Sequence, residues 1–144
     1  MPEVSMTIYW VSILGLLLLA LVPLLLAGVA SVTKAQAGLP PGAVLTGGYT
    51  DAFWRAERAH MNAVENVPVF LLVAVLAMLA GVGPVTLAIL VWVQVALRLG
   101  FSLLYLRGVG AVTGGPRSMA FTLGLLVTLV LIAVTAWRAL AGAA

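Results

Sequence analysis

The chain has 144 residues, 64% of them hydrophobic and only 8% charged, with a formal net charge of +3. Soluble domains run near a quarter charged, so this composition cannot cover a soluble surface and points to one integral membrane domain. The basic residues are too few and too scattered for nucleic-acid binding, and the absence of cysteine leaves no disulfide or protein thiol chemistry, so any reacting thiol must come from a bound molecule.

The first apolar run, about Ile8 to Val32, is long enough to cross a hydrocarbon core of ~30 Å. Pro23 lies inside it and frees the carbonyl of Leu19, which predicts a kink. The rival reading is a cleaved signal peptide ending near Ala35-Gln36-Ala37. Against it, the segment before the run carries Glu3 and no Lys or Arg, and the run exceeds an ordinary signal core. Thr33 to Thr50, with Lys34, Pro40-Pro41-Gly42 and Gly47-Gly48, reads as an exposed loop.

Thr50 or Asp51 can cap a second helix over about 52–80. Pro68 interrupts it and releases the carbonyl of Val64. At 100° per residue, Arg55, Arg58, Asn62, Glu65, Asn66 and Val69 share a sector of roughly 100°, with His60 opposite. A polar stripe entering an apolar helix costs about 2.5–3.5 kcal/mol per central charge, so it must face protein, water or a ligand.

Gly81-Val82-Gly83-Pro84 closes the second helix and opens a third, about 85–106. Gln94, Arg98, Phe101, Ser102 and Tyr105 fall in one sector of about 100°. Glu65 lies about 15 Å along its helix from Arg55, and Arg98 about 13 Å from Arg107. Their depths match, so a pair fixing helix register, within a subunit or between copies, is expected. After a Gly-rich loop from Arg107 to Gly115, Pro116 starts a fourth helix reaching about Trp137. The reading is therefore all-α: a four-span membrane bundle in a single domain.

Lys34, Arg55, Arg58, Arg107 and Arg117 flank the first and third loops, and Arg138 alone sits at the other end. The excess of basic residues places those loops in the cytoplasm and both termini on the opposite side. Arg117 opposes the dipole of its own helix, an arrangement that a bound anion would reverse, since amide groups, the Ser118 hydroxyl and the guanidinium would converge on it. One histidine, no cysteine and scattered acids cannot build a metal site.

Arg58-Ala59-His60-x-Asn62-x-x-Glu65-Asn66-x-Pro68-x-Phe70 resembles the second-helix signature of the membrane-associated proteins in eicosanoid and glutathione metabolism. The likeness extends to Arg98 and Tyr105, seven apart in helix three, and to the Arg117-Ser118 pair opening helix four. The resemblance implies a homotrimer with glutathione as co-substrate, bound between subunits toward the cytoplasmic side. It makes Arg58, Asn62, Glu65, Arg98 and Tyr105 glutathione-binding candidates, and Arg117 and Ser118 catalytic ones that favour the thiolate. The implied function is a transferase or peroxidase acting on hydrophobic electrophiles or lipid peroxides that arrive from the membrane lipids. The alternative is a non-catalytic lipid- or partner-binding protein of the same fold. Met61, Phe101 and Phe121 stand where prostaglandin-forming relatives carry polar side chains, which speaks against prostaglandin isomerisation. A small four-helix exporter would also use an intramembrane glutamate, but the Arg-Ala-His-x-Asn run and Arg98 argue against one.

Overall fold

The computed structural model describes residues 6–40, 42–43, 47–110 and 114–142, the side chain of Met6 excepted. Glu3, Pro41 of the first loop's turn and residues 111–113 of the Gly-rich loop lie outside the described residues. A short 3-10 turn, Met6–Tyr9, leads into α1 (Trp10–Gln36), followed by α2 (Ala52–Leu79), α3 (Pro84–Leu106) and α4 (Pro116–Ala141). All four helices are long and apolar enough to cross a membrane. The chain is thus an all-helical integral membrane protein. The helices extend beyond the apolar runs read from sequence: α1 reaches Gln36 and α4 reaches Ala141, since helical hydrogen bonding continues past the point where hydropathy falls.

Turn chemistry sets the helix ends. The Asp51 carboxylate accepts from the Phe53 N–H at 2.9 Å and caps α2. At the other end Gly81 has φ +73°. Its N–H donates to Met78 O and that of Val82 to Ala77 O, a paired closure that requires a left-handed residue. Pro84 then occupies the first turn of α3, where its missing N–H costs nothing.

Each helix buries a narrow stripe and leaves the rest apolar and exposed, as lipid-facing helices do. In α1 the buried side is Ser12, Gly15, Leu16, Leu19, Val22, Leu26 and Ala30. In α2 it is built on Ala56, Ala59, Ala63, Ala74 and Ala77, with Val67 and Phe70. Small residues at helical spacing let backbones approach closely where lipid offers no hydrophobic drive to association. The α4 helix buries only Arg117, Gly124, Thr128 and Leu131, so it is the most exposed member of the bundle.

Long-range hydrogen bonds fasten α1. The Tyr9 hydroxyl donates to Val82 O at 2.7 Å, and the Trp92 indole N–H to Val11 O at 3.2 Å. His60, on the α2 face opposite the polar stripe, lies with Nδ1 3.1 Å from Pro23 O. A carbonyl can only accept, so the proton is on Nδ1. This contact meets α1 at Pro23 and gives the single histidine a structural partner.

Gly15 marks the tightest approach between α1 and α3. A Cβ there would lie 2.5 Å from Val91 Cγ1, whereas Gly28 has nothing within 4 Å of that point. Gly15→Ala should therefore lower stability by about 1–3 kcal/mol through overpacking, and Gly28→Ala should change it by less than about 0.5 kcal/mol. Thermal unfolding of the detergent-solubilised protein measures both, and equal melting temperatures would contradict the close approach.

Candidate functional site

The start of α2, the end of α3 and the start of α4 converge at one end of the bundle. The Asp51 cap fixes where α2 begins, so Arg55, Arg58 and Asn62 follow on successive turns of one face. Arg55 ties the first loop to α3. Its Nε donates to Leu106 O at 3.3 Å and its Nη1 to Tyr49 O at 2.8 Å. Gly108 allows this, since a Cβ at that residue would stand 3.1 Å from Arg55 Cζ.

A cleft of about 240 Å³ opens here, lined by Arg58, Asn62, Phe101, Tyr105, Arg117, Ser118, Phe121 and Thr122. Arg58, Asn62, Tyr105, Arg117 and Ser118, expected from sequence to work together, are brought together by the fold. Phe101 and Phe121 pack ring to ring at 5.8 Å and give the cleft an apolar wall. A second cavity of about 510 Å³ shares Arg58 and Tyr105 and is walled by Trp54, Glu57 and Met61 with Gly42 and Ala43.

Arg117 is buried, 8% exposed. Its Cζ lies 4.6 Å from the Tyr49 ring centre and 4.7 Å from that of Tyr105. The two rings meet edge to face at 81°, so the guanidinium occupies the corner between them. Arg58 Cζ stands 6.0 Å from the Trp54 ring. Two polar groups expected to serve the cleft are turned partly inward. Asn62 Nδ2 donates to Arg58 O at 2.7 Å, and Ser118 Oγ donates to Gly114 O at 3.2 Å. Each keeps its oxygen as an acceptor and Asn62 keeps a second amide hydrogen, but the Ser118 hydroxyl proton and one Asn62 N–H go to backbone.

Glu65 and Arg98 do not line this cleft. Glu65 is exposed in a separate groove of about 360 Å³ between α2 and α4, beside Asn66, Val69, Leu125 and Thr128. Arg98 is buried to 3% exposure, with Cζ 5.8 Å from the Phe121 ring. The expected Glu65–Arg98 pair does not form within one chain. The ion pair found among the described residues joins Lys34 and Glu57 at 3.6 Å. The two stripes meet at the cleft, where Arg58 and Asn62 face Phe101 and Tyr105, and part deeper in the bundle, where Arg98 is buried and Glu65 lies in the α2–α4 groove.

Gln94 is the neighbour that serves Arg98. In the orientation its surroundings require, its Oε1 accepts from Arg98 Nε and its Nε2 donates to Gly124 O, both at 3.1 Å. Among the described residues, Arg98 Nη1 and Nη2 have no hydrogen-bond partner. Gly124 admits the guanidinium, since a Cβ there would stand 3.3 Å from Nη2.

Tyr49 and Trp54 are members of this region that sequence reasoning missed. Their only signal is an aromatic on either side of the Asp51 cap. Nothing in local spacing shows that Tyr49 meets an arginine opening the fourth helix.

A family model described as the MAPEG family matches residues 7–137. No match was found among curated proteins.

Arg98 gives the sharpest energetic test of this arrangement. A buried guanidinium without a carboxylate is costly, and apolar replacements of buried charges are often neutral or stabilising by about 1–4 kcal/mol. Arg98→Met should raise the melting temperature of the ligand-free, detergent-solubilised protein. A fall instead would mean that a carboxylate from another copy, Glu65 being the candidate, reaches Arg98.

Proposed function

The chain belongs to the MAPEG family, and on that premise we propose that it is a glutathione-dependent membrane transferase or peroxidase acting on hydrophobic electrophiles or lipid peroxides. The observation that carries the reading is the gathering of Arg58, Asn62, Tyr105, Arg117 and Ser118 around one cleft. A cysteine-free protein cannot supply the nucleophile, so the thiol of bound glutathione attacks. Lowering a thiol pKa by two units takes about 2.7 kcal/mol of preferential thiolate stabilisation. Arg117, buried at the start of α4, supplies charge where helix N–H groups also point outward. Arg58 and the acceptor oxygen of Asn62 hold the polar ends of the tripeptide, with Tyr105 between them. Arg98 adds positive potential from behind the Phe121 ring.

The active form in this reading is a homotrimer. A carboxylate at bilayer depth costs about 2.5–3.5 kcal/mol on insertion scales, and Glu65 is exposed on the isolated chain. A neighbouring copy covering the α2–α4 groove removes it from lipid and brings it to a site shared between subunits. The first and third loops are cytoplasmic and both termini lie on the other side, which the basic residues at those loops support. The second substrate enters from the lipid.

A second reading, a non-catalytic lipid- or partner-binding protein, draws support from the apolar Phe101–Phe121 wall and from the inward-turned donors of Asn62 and Ser118. Retention on immobilised glutathione followed by turnover of a model aromatic electrophile separates the two.

Arg117→Ala should lose most conjugation activity, on the order of 10²-fold by analogy with removal of a single oxyanion donor. Arg117→Lys should keep part of it, since it retains charge but not the planar fork. Thiolate absorbance near 240 nm should fall in the same order. Unchanged turnover in both variants would assign Arg117 to topology alone.

Sidedness is tested with single cysteines in this cysteine-free chain. Gly48 has room for a side chain and Ala141 is exposed at the end of α4. An impermeant maleimide added to intact cells should label Ala141→Cys and spare Gly48→Cys; the reverse pattern would invert the topology.

A further inference from the structure

We propose that Glu57 receives the γ-glutamyl ammonium group of glutathione in the cavity beside the cleft, and so selects the thiol that the protein uses; this rests on the transferase reading above. That cavity, of about 510 Å³, lies at the loop end of the bundle and adjoins the cleft at Arg58 and Tyr105. Ligand pockets run about 300–1,000 Å³, so the cleft, at about 240 Å³, is small for a whole tripeptide, whereas the cavity is not. An extended tripeptide reaches about 10 Å, enough to lie across both. Asn62 and Phe101 stand about one helical turn deeper than Arg58 and Tyr105. The sulfur end therefore belongs in the cleft with Arg117 and Ser118, and the charged γ-glutamyl head toward the loops and water.

The cavity carries the charges that this head needs. Glu57 and Arg58 both line it, and as helix neighbours their side chains leave α2 about 100° apart. A carboxylate and a guanidinium bordering one space match the ammonium and carboxylate of an α-amino acid. Arg58 keeps donors for that carboxylate, since its contacts among the described residues are the Trp54 ring, 6.0 Å from Cζ, and Met61 Sδ, 4.0 Å from Nη1. Trp54, stacked on Tyr105 with planes 27° apart, gives the cavity a stiff side. Lys34 of α1 holds Glu57 at 3.6 Å. That spacing is long beside the ~2.7–2.9 Å of a charge-assisted hydrogen bond, so a bound ammonium group can approach the carboxylate more closely than Lys34 does. Glu65 lies in the α2–α4 groove, so Glu57 is the carboxylate that one chain brings to this cavity.

The experiment compares glutathione with glutaryl-cysteinylglycine, the same thiol without its amino group, as co-substrates for a model aromatic electrophile. The full-length protein in detergent is used, and kcat/KM is measured for each thiol. The parent should prefer glutathione by roughly tenfold or more, the scale of a hydrogen bond between charged groups. In Glu57→Gln, which keeps the shape and loses the charge, the two thiols should be used equally. Glu57→Asp keeps the charge on a shorter stem and should retain part of the preference. Lys34→Met removes the ion pair and leaves the carboxylate, so it should keep the preference. A parent that uses both thiols alike overturns the role of Glu57 and leaves the transferase reading intact. So does a Glu57→Gln protein equally impaired with both, or a preference lost as fully in Lys34→Met, since either assigns the pair to structure. A parent that turns over neither thiol overturns the transferase reading itself, and the role of Glu57 with it.

Discussion

A guanidinium at bilayer depth costs about 2.5–3.5 kcal/mol on insertion scales, and this fold is arranged around one that has no carboxylate beside it among the described residues. Arg98 is taken fully into the bundle. Its Nε reaches Gln94, which also binds Gly124 O on α4. The absence of a side chain at Gly124 lets the guanidinium lie against that helix, and the Phe121 ring stands on its other side. Thus α3 and α4 are joined by a polar contact in an interface otherwise made of small and apolar groups. The same residues place Phe121, and hence one wall of the cleft.

The two buried arginines are housed by different means. Arg98 sits among an amide, a glycine and a ring, deep in the apolar part of α3. Arg117 sits at the first turn of α4 between Tyr49 and Tyr105, where backbone N–H groups add positive potential. Among the described residues no acid pairs with Arg98. The acids are elsewhere: Asp51 caps a helix, Glu57 pairs with Lys34, and Glu65 faces outward. The two buried arginines therefore stand at one end of the bundle and within α3.

Much of this was legible in the sequence. Four apolar runs gave the spans, Asp51 the start of α2, and Gly81 with Pro84 the α2–α3 hairpin. Periodicity grouped Arg58 with Asn62 and Arg98 with Tyr105. Periodicity fixes which residues share a face, however, and says nothing of where that face points. The stripes meet at the cleft, but deeper in the bundle Arg98 is buried and Glu65 is exposed, so these two, matched in depth, are separated in direction. Tyr49 and the His60 contact with Pro23 O were invisible for another reason. Both join segments remote in the chain, and each residue has an ordinary local explanation, a loop aromatic and a helix-face imidazole.

A family fold can keep its frame while its site changes character. Phe101 and Phe121, which the sequence resemblance sets against polar side chains in prostaglandin-forming proteins, both line the cleft. Apolar walls remove hydrogen bonds that would orient a ligand, but they also lower the local dielectric, and a charge acts more strongly across a drier space. With the Ser118 hydroxyl proton and one Asn62 N–H turned to backbone, direction must come from few groups. Under the transferase reading, that shifts the work from hydrogen-bond recognition of the thiol to a fixed cation beside it. Such a site asks little of a substrate beyond a thiolate and an apolar electrophile, and so favours chemistry on diverse hydrophobic molecules over selective isomerisation of one.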